Sequence, residues 1–186
     1  MRRRRSIRLE GYDYAAPGAY FVTICTHGRA CLFGEITHGE IKLSVPGEIA
    51  AEEWRRTAAI RSEVVLDAFV VMPNHIHAIV WFKHVGATDP VGVQRHNAHP
   101  VGAHGRAPLR RPRSLATLIA GYKSAVATRI NAKRGTPGTP VWQRNYFERV
   151  VRNQAERVRI REYVATNPLC WDLDRENPDF HRGVSV

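Results

Sequence analysis

Cysteine is scarce in this sequence, and long apolar runs are missing altogether. Cys25, Cys31 and Cys170 are odd in number and form no C-x-x-C pair, which argues against both a disulfide framework and a zinc knuckle. They read as ordinary reduced thiols. The longest apolar stretches, AFVVM and AIVWF, fall far short of the ~20 residues that a bilayer span requires. The opening MRRRRSIRLEGYDY carries charge with no apolar region behind it. A secretory signal is therefore not expected, and a cytoplasmic location is.

Acidic residues are also in short supply, with 17 against 28 bases and a formal net charge of +11. Lysine is rare too, because 24 of those bases are arginine. Guanidinium forks grip phosphate through paired hydrogen bonds and stack on bases, so the composition points to a nucleic-acid partner. A GC-rich genome would favour arginine over lysine, but it would not produce the surplus over acids. That surplus suits contact with a phosphate backbone.

The 186 residues are 44% apolar, enough for one domain with a real core. AYFVTICTH (19–27) is rich in β-branched and aromatic residues and predicts a strand. CLFGEITHGEIKLS predicts a hairpin turning at His38-Gly39, and Pro46 opens a helix over 46–62. Two strand-like runs follow, EVVLDAFVVM and NHIHAIVWF, broken at Met72-Pro73-Asn74. Residues 83–113 then lose all apolar period, fill with Gly, Pro, Ala and His, and read as a flexible basic loop. The scattered His84, His96, His99 and His104 there read as incidental, with metal binding as the alternative. Ser114 caps a long helix with Leu115, Leu118, Ile119, Tyr122, Val126 and Ile130 at helical spacing. VWQRNYFERVV (141–151) alternates like a strand, and NQAERVRIREYVATN forms a last helix before Pro168. Residues 172–186 are polar and read as a loosely ordered tail. Two helices crossing over one antiparallel sheet give an α+β fold, ferredoxin-like, with the helices packed on one face.

Inside that pattern, VVMPNHIHAIVWF places two imidazoles where a sheet interior is expected. Residues two apart on a strand share a face, so His75 and His77 project side by side with Ile79 and Trp81, while Ile76, Ala78, Val80 and Phe82 line the other face. Two imidazoles on one strand suit a divalent ion that takes a third ligand from elsewhere. They suit equally a hydrogen-bonded pair with no metal. Tyr163 and Asn167, four apart on the last helix, share a side with Ile160 and Val164. A buried amide needs partners, and the Asn167 oxygen is a reasonable ligand for a hard or borderline cation. A helix C-cap before Pro168 would account for the same asparagine.

Three segments taken in order, MPNHIHAIV, VWQRNYFERVVRN and IREYVATNPLCW, resemble the REP-associated tyrosine transposases of the single-tyrosine HUH superfamily. The likeness runs from about Ala19 to Trp171, interrupted by the 83–113 segment. It implies that His75 and His77 hold a metal ion, that Tyr163 is the nucleophile, and that Asn167 stands where the family completes the metal site with Gln or Asn. Such enzymes cut single-stranded DNA, keep the 5′ end as a phosphotyrosine, release a 3′-OH, and are associated with palindromic repeats that fold into hairpins. Imidazole with amide oxygen suits Mg²⁺ or Mn²⁺. The resemblance accommodates a monomer or a homodimer.

For DNA contact the candidates are Arg2, Arg3, Arg4 and Arg5 in the basic arm, Arg110, Arg111 and Arg113 in the loop, and Arg144, Tyr146, Arg149 and Arg152 around the last strand. Tyr146 reads as a platform for a base or as packing, and Tyr122 as core. Asp67 and Glu148 are further acids with reach toward a metal. Two other functions remain open: a non-catalytic module binding structured DNA or RNA, and a metal phosphoesterase using water as nucleophile.

Overall fold

The structure, a computed structural model, describes residues 17–83 and 113–180. The Arg2–Arg5 arm, Arg110, Arg111 and the histidines at 84, 96, 99 and 104 lie outside the described residues.

The elements run β1 (Gly18–Cys25), β2 (Gly34–Thr37), β3 (Glu40–Leu43), α1 (Val45–Ile60), β4 (Val64–Met72), β5 (His75–Phe82), α2 (Leu115–Arg134), β6 (Phe147–Val151) and α3 (Gln154–Thr166). Short 3₁₀ segments lie at His27–Arg29 and Asn167–Leu173. The main sheet has the order β4-β5-β1-β6, with every neighbouring pair antiparallel. This is the ferredoxin-like arrangement expected from the element order. The β2–β3 hairpin turns at His38 and Gly39, whose φ of 53° and 77° supply the two left-handed residues of a tight turn. The Ser44 hydroxyl accepts from the Gly47 N–H at the start of α1, with Pro46 in its first turn. Ser114 and Thr117 form a reciprocal capping box on α2.

Strand parity separates two cores. Tyr20, Val22 and Ile24 of β1 and Ile76, Ala78 and Val80 of β5 face α1 and α2. There Trp54 lies parallel to Phe69 at 5.5 Å, and the Tyr122 hydroxyl donates to the Ala50 carbonyl at 3.0 Å. Tyr122 is thus core, as its helical position suggested. On the opposite face Ala19, Phe21, Ile79 and Val151 form a smaller cluster with Val164 of α3. The expected pair of helices covers one face, and α3 covers apolar surface that both-sided strands leave on the other.

Two boundaries differ from the sequence reading. The strand expected over 141–151 begins only at Phe147. Before it, the Lys123 ammonium donates to the carbonyls of Gln143 and Asn145 at 2.8 and 3.1 Å. Those carbonyls are satisfied without a ladder, and only a single bridge, Thr26 to Trp142, precedes the strand. The polar stretch after Trp171 is anchored as far as it is described. Asn177 is buried and donates to the Trp171 carbonyl at 3.0 Å. No helix among the described residues is long and apolar enough to cross a membrane.

Candidate active site

His75 and His77 project from β5 toward α3, and both are almost wholly buried. Each ring is oriented through Nδ1. For His75 the partner is the Asn74 amide oxygen at 2.8 Å. An amide oxygen only accepts, so Nδ1 carries the proton and Nε2 presents a lone pair. The His77 Nδ1 sits 2.8 Å from the Thr23 hydroxyl of the paired strand, which can receive a proton in the same way. The two Nε2 atoms then face each other at 3.0 Å. Burial holds the pKa of His75 down to about 4, with Asp174 pulling up and Arg29 pushing down. Burial first, and His75 second, hold His77 well below its usual value. Both rings are neutral near pH 7, the state a metal requires of them.

A third ligand lies close by. Asp174, in the segment after the 3₁₀ turn, brings a carboxylate oxygen to 3.7 Å from His75 Nε2. One ligand atom each from His75, His77 and Asp174 lie within 4.8 Å of one another. The Asp174 Oδ2 is buried with no hydrogen-bond partner. Two neutral imidazoles facing through lone pairs, beside an unpartnered carboxylate oxygen, make a donor set that suits a divalent cation.

Tyr163 reaches the same place from α3. Its hydroxyl is 3.1 Å from His77 Nε2, its ring lies against His77 and edge-on to Phe21, and 46% of the residue remains exposed. Burial and then the Asp174 charge raise its pKa, while a side-chain hydrogen bond with Asn167 lowers it. Asn167 is 3% exposed with its Oδ1 unpartnered. It ends α3 with right-handed angles, φ −56° and ψ −41°, and the chain continues into the 3₁₀ turn. A left-handed cap therefore does not account for this asparagine.

These groups open onto a cleft of about 700 Å³ between β1, β6 and α3, lined by His77, Tyr163, Asn167 and Asp174 and also by Phe147 and Arg149. Arg149 is exposed and pairs with the buried Glu156 carboxylate. Arg152 is exposed at the junction of β6 and α3, and Arg144 is exposed in the loop before β6. Tyr146 packs instead against the α1/α2 core with Lys123 5.8 Å from its ring centre. Glu148 pairs in register with Val22 and so shares the α1/α2 side of the sheet, away from the histidines. Asp67 sits at a bulge in β4, where Arg161 of α3 grips both of its oxygens at 2.7 and 2.8 Å and Trp81 donates at 3.1 Å. It ties the tyrosine helix to the sheet. Sequence reasoning missed Asp174 and Phe147. Strand parity with Arg149 signals that Phe147 faces the cleft, whereas nothing periodic marks Asp174.

No protein-family profile matches the chain. An uncharacterized protein of Haemophilus influenzae is 31% identical over 173 residues, which is 92% of this chain and 92% of that one. The chain belongs to that protein's family. Among solved structures, a REP-associated tyrosine transposase bound to a REP hairpin superposes with a TM-score of 0.55 at 17% identity, covering 95% of this chain and 86% of that one. The fold is that of the REP-associated tyrosine transposase. A crystal structure from Deinococcus radiodurans overlaps less well, at a TM-score of 0.41 and 16% identity. In this transposase fold the histidine pair lies on an inner strand and the tyrosine on the helix laid across it.

Proposed function

We propose that this protein is a metal-dependent, single-tyrosine DNA endonuclease and strand transferase. It acts as a cytoplasmic DNA-processing enzyme on single-stranded or hairpin DNA through a 5′-phosphotyrosine intermediate. The observation that carries this reading is the Tyr163 hydroxyl standing 3.1 Å from His77 at the edge of the His75–His77–Asp174 group, in an open cleft. The net charge of +11 and the solved REP-hairpin complex of the same fold support DNA as the substrate.

His75, His77 and Asp174 hold the ion, with Asn167 beside them. When bound, a Mg²⁺ or Mn²⁺ ion offsets charge developing on the scissile phosphate and favours ionisation of a neighbouring phenol. Tyr163 supplies the attacking oxygen. Its bond to phosphorus forms as the bond from phosphorus to the 3′ oxygen breaks, and the phenol proton ends on that 3′-OH. The phosphotyrosine diester retains the energy of the original link, so a 3′-OH can reverse the step without ATP. Phe147 and Arg149 offer a base platform and a phosphate contact along the cleft. Arg144 and Arg152, exposed on either side of β6, extend the basic surface, and the Arg2–Arg5 arm grips the hairpin stem or its flank.

The test is covalent trapping with Mn²⁺ or Mg²⁺ and labelled hairpins from the repeats flanking the gene. A denaturing gel compares wild type, Tyr163→Phe and the His75→Ala/His77→Ala double variant. A metal-dependent adduct in the wild type alone is expected. Hairpin binding by all three without an adduct or cleavage would indicate a non-catalytic binding module. Cleavage without an adduct would indicate water as the nucleophile.

A further inference from the structure

Asn74 lies in the tight turn between β4 and β5, yet none of it is exposed. A turn at that position has no need of a buried amide, and every polar group on this one is occupied. The Oδ1 accepts from His75 Nδ1 at 2.8 Å. The Nδ2 donates to the carbonyls of Arg29 and Glu176, at 3.2 and 2.6 Å. Its own carbonyl accepts from the Thr26 N–H and hydroxyl at 2.8 and 3.0 Å. One side chain thus joins the histidine strand to a segment about a hundred residues further along the chain.

That segment carries the carboxylate of the site. Asp174 Oδ1 accepts from the Glu176 N–H at 2.8 Å. Its Oδ2 is thereby left at 3.7 Å from His75 Nε2. Arg29 adds a second tie, pairing with the Glu176 carboxylate at 3.1 Å and donating to the Arg175 carbonyl at 3.2 Å. The two ends of the Asn74 amide therefore act on the two sides of the same site. The oxygen fixes the proton of His75 on Nδ1, and the nitrogen seats the backbone that presents Asp174.

We propose that Asn74 is a positioning residue that couples the tautomer of His75 to the placement of Asp174. The inference rests on the metal reading above and goes beyond it, by assigning the assembly of the ligand set to a side chain that touches neither metal nor DNA. A flipped or truncated amide loses both functions together. Asn74→Asp keeps an acceptor for His75 but cannot donate to the Arg29 and Glu176 carbonyls, so it loosens the seating of the Asp174 segment while leaving the His75 contact.

The experiment uses the full chain freed of metal and titrated with Co²⁺, whose visible absorption reports its ligands. Asn74→Asp and Asn74→Ala are expected to weaken Co²⁺ binding about 10–100-fold, the usual consequence of removing an outer-shell partner. Asn74→Asp should also change the Co²⁺ bands as Asp174→Asn does. Combining Asn74→Asp with Asp174→Asn should cost no more than Asp174→Asn alone, because the first change acts through the second residue. Wild-type affinity and bands in a folded Asn74→Asp protein, or losses that multiply in the double variant, would overturn the proposal. A direct measurement needs no variant: ¹⁵N NMR of the metal-free wild type should show the His75 proton on Nδ1, and finding it on Nε2 would overturn the proposal equally. If the wild type takes up no Co²⁺, the metal reading falls and this inference falls with it. Wild-type binding with unaltered variants removes the inference alone.

Discussion

Acidifying the metal-free protein should destabilise it along a path set by its buried histidines. His75 titrates at 6.5 when solvated and at about 4 in the fold, chiefly because burial disfavours the charged ring, against the pull of Asp174 and with the help of Arg29. Between those values the unfolded chain binds the proton and the native chain does not. Stability is therefore intact above about pH 6.5, falls as pH falls through the window, and levels off below about 4. At about 1.4 kcal/mol per pH unit the loss from His75 amounts to about 3 kcal/mol. His77, held down by burial and by His75, adds in the same direction. Since a typical domain has only about 5–15 kcal/mol in total, the effect is large. Urea unfolding in chelator, followed by tryptophan fluorescence from about pH 7.5 to pH 4.5, reads it directly. His75→Gln cannot titrate and should make the profile shallower, leaving the His77 part, while carboxylates elsewhere contribute equally to both proteins. A wild-type profile flat between about pH 6.5 and 5, or a slope unchanged in His75→Gln, would refute the assignment of buried neutral imidazoles.

Two other perturbations address the cleft. Phe147 is 41% exposed there, and stacking of a base on an aromatic ring contributes about 1–3 kcal/mol. Phe147→Ala should thus weaken single-stranded DNA about 5–150-fold by fluorescence anisotropy, with little change in thermal midpoint, and Phe147→Trp should restore binding. Asp67→Ala removes the acceptor of both Arg161 hydrogen bonds. Hydrogen exchange of the α3 amides should accelerate about tenfold, and adduct formation should slow while hairpin affinity is retained.

Much of the architecture could be read from short-range chemistry. The His38-Gly39 turn, Pro46 in the first turn of α1 and the Ser114 cap all follow from preferences of single residues. The shared face of His75 and His77 follows from strand parity alone, and the structure places His77 against Tyr163 and His75 beside Asp174. Features that depend on distant partners were less legible. Residues 141–146 alternate like a strand, but an ammonium from α2 occupies their carbonyls. Tyr146 looked available for a base, yet the strand starts one residue later and leaves its ring on the other core. Asp174 belongs to a polar segment with no period, and the contacts that hold its neighbours come from Asn74 and Arg29, far away in the chain. The expectation that all helices pack on one face is corrected by α3, which lies on the far face over Ala19, Phe21 and Ile79.

The division of the interior into two unequal cores has an operational consequence. Tyr20, Val22, Ile76, Trp54, Leu118 and Tyr122 share one continuous interior, whereas α3 is held by Val164 and Ile160 against a handful of residues and by the Arg161–Asp67 clamp. Local opening costs less than global unfolding where fewer apolar contacts must be given up. On heating, catalysis should therefore fail at a lower temperature than the scaffold melts. An inactivation curve displaced below the unfolding curve of Trp54 would mark the tyrosine helix as the part that lets go first.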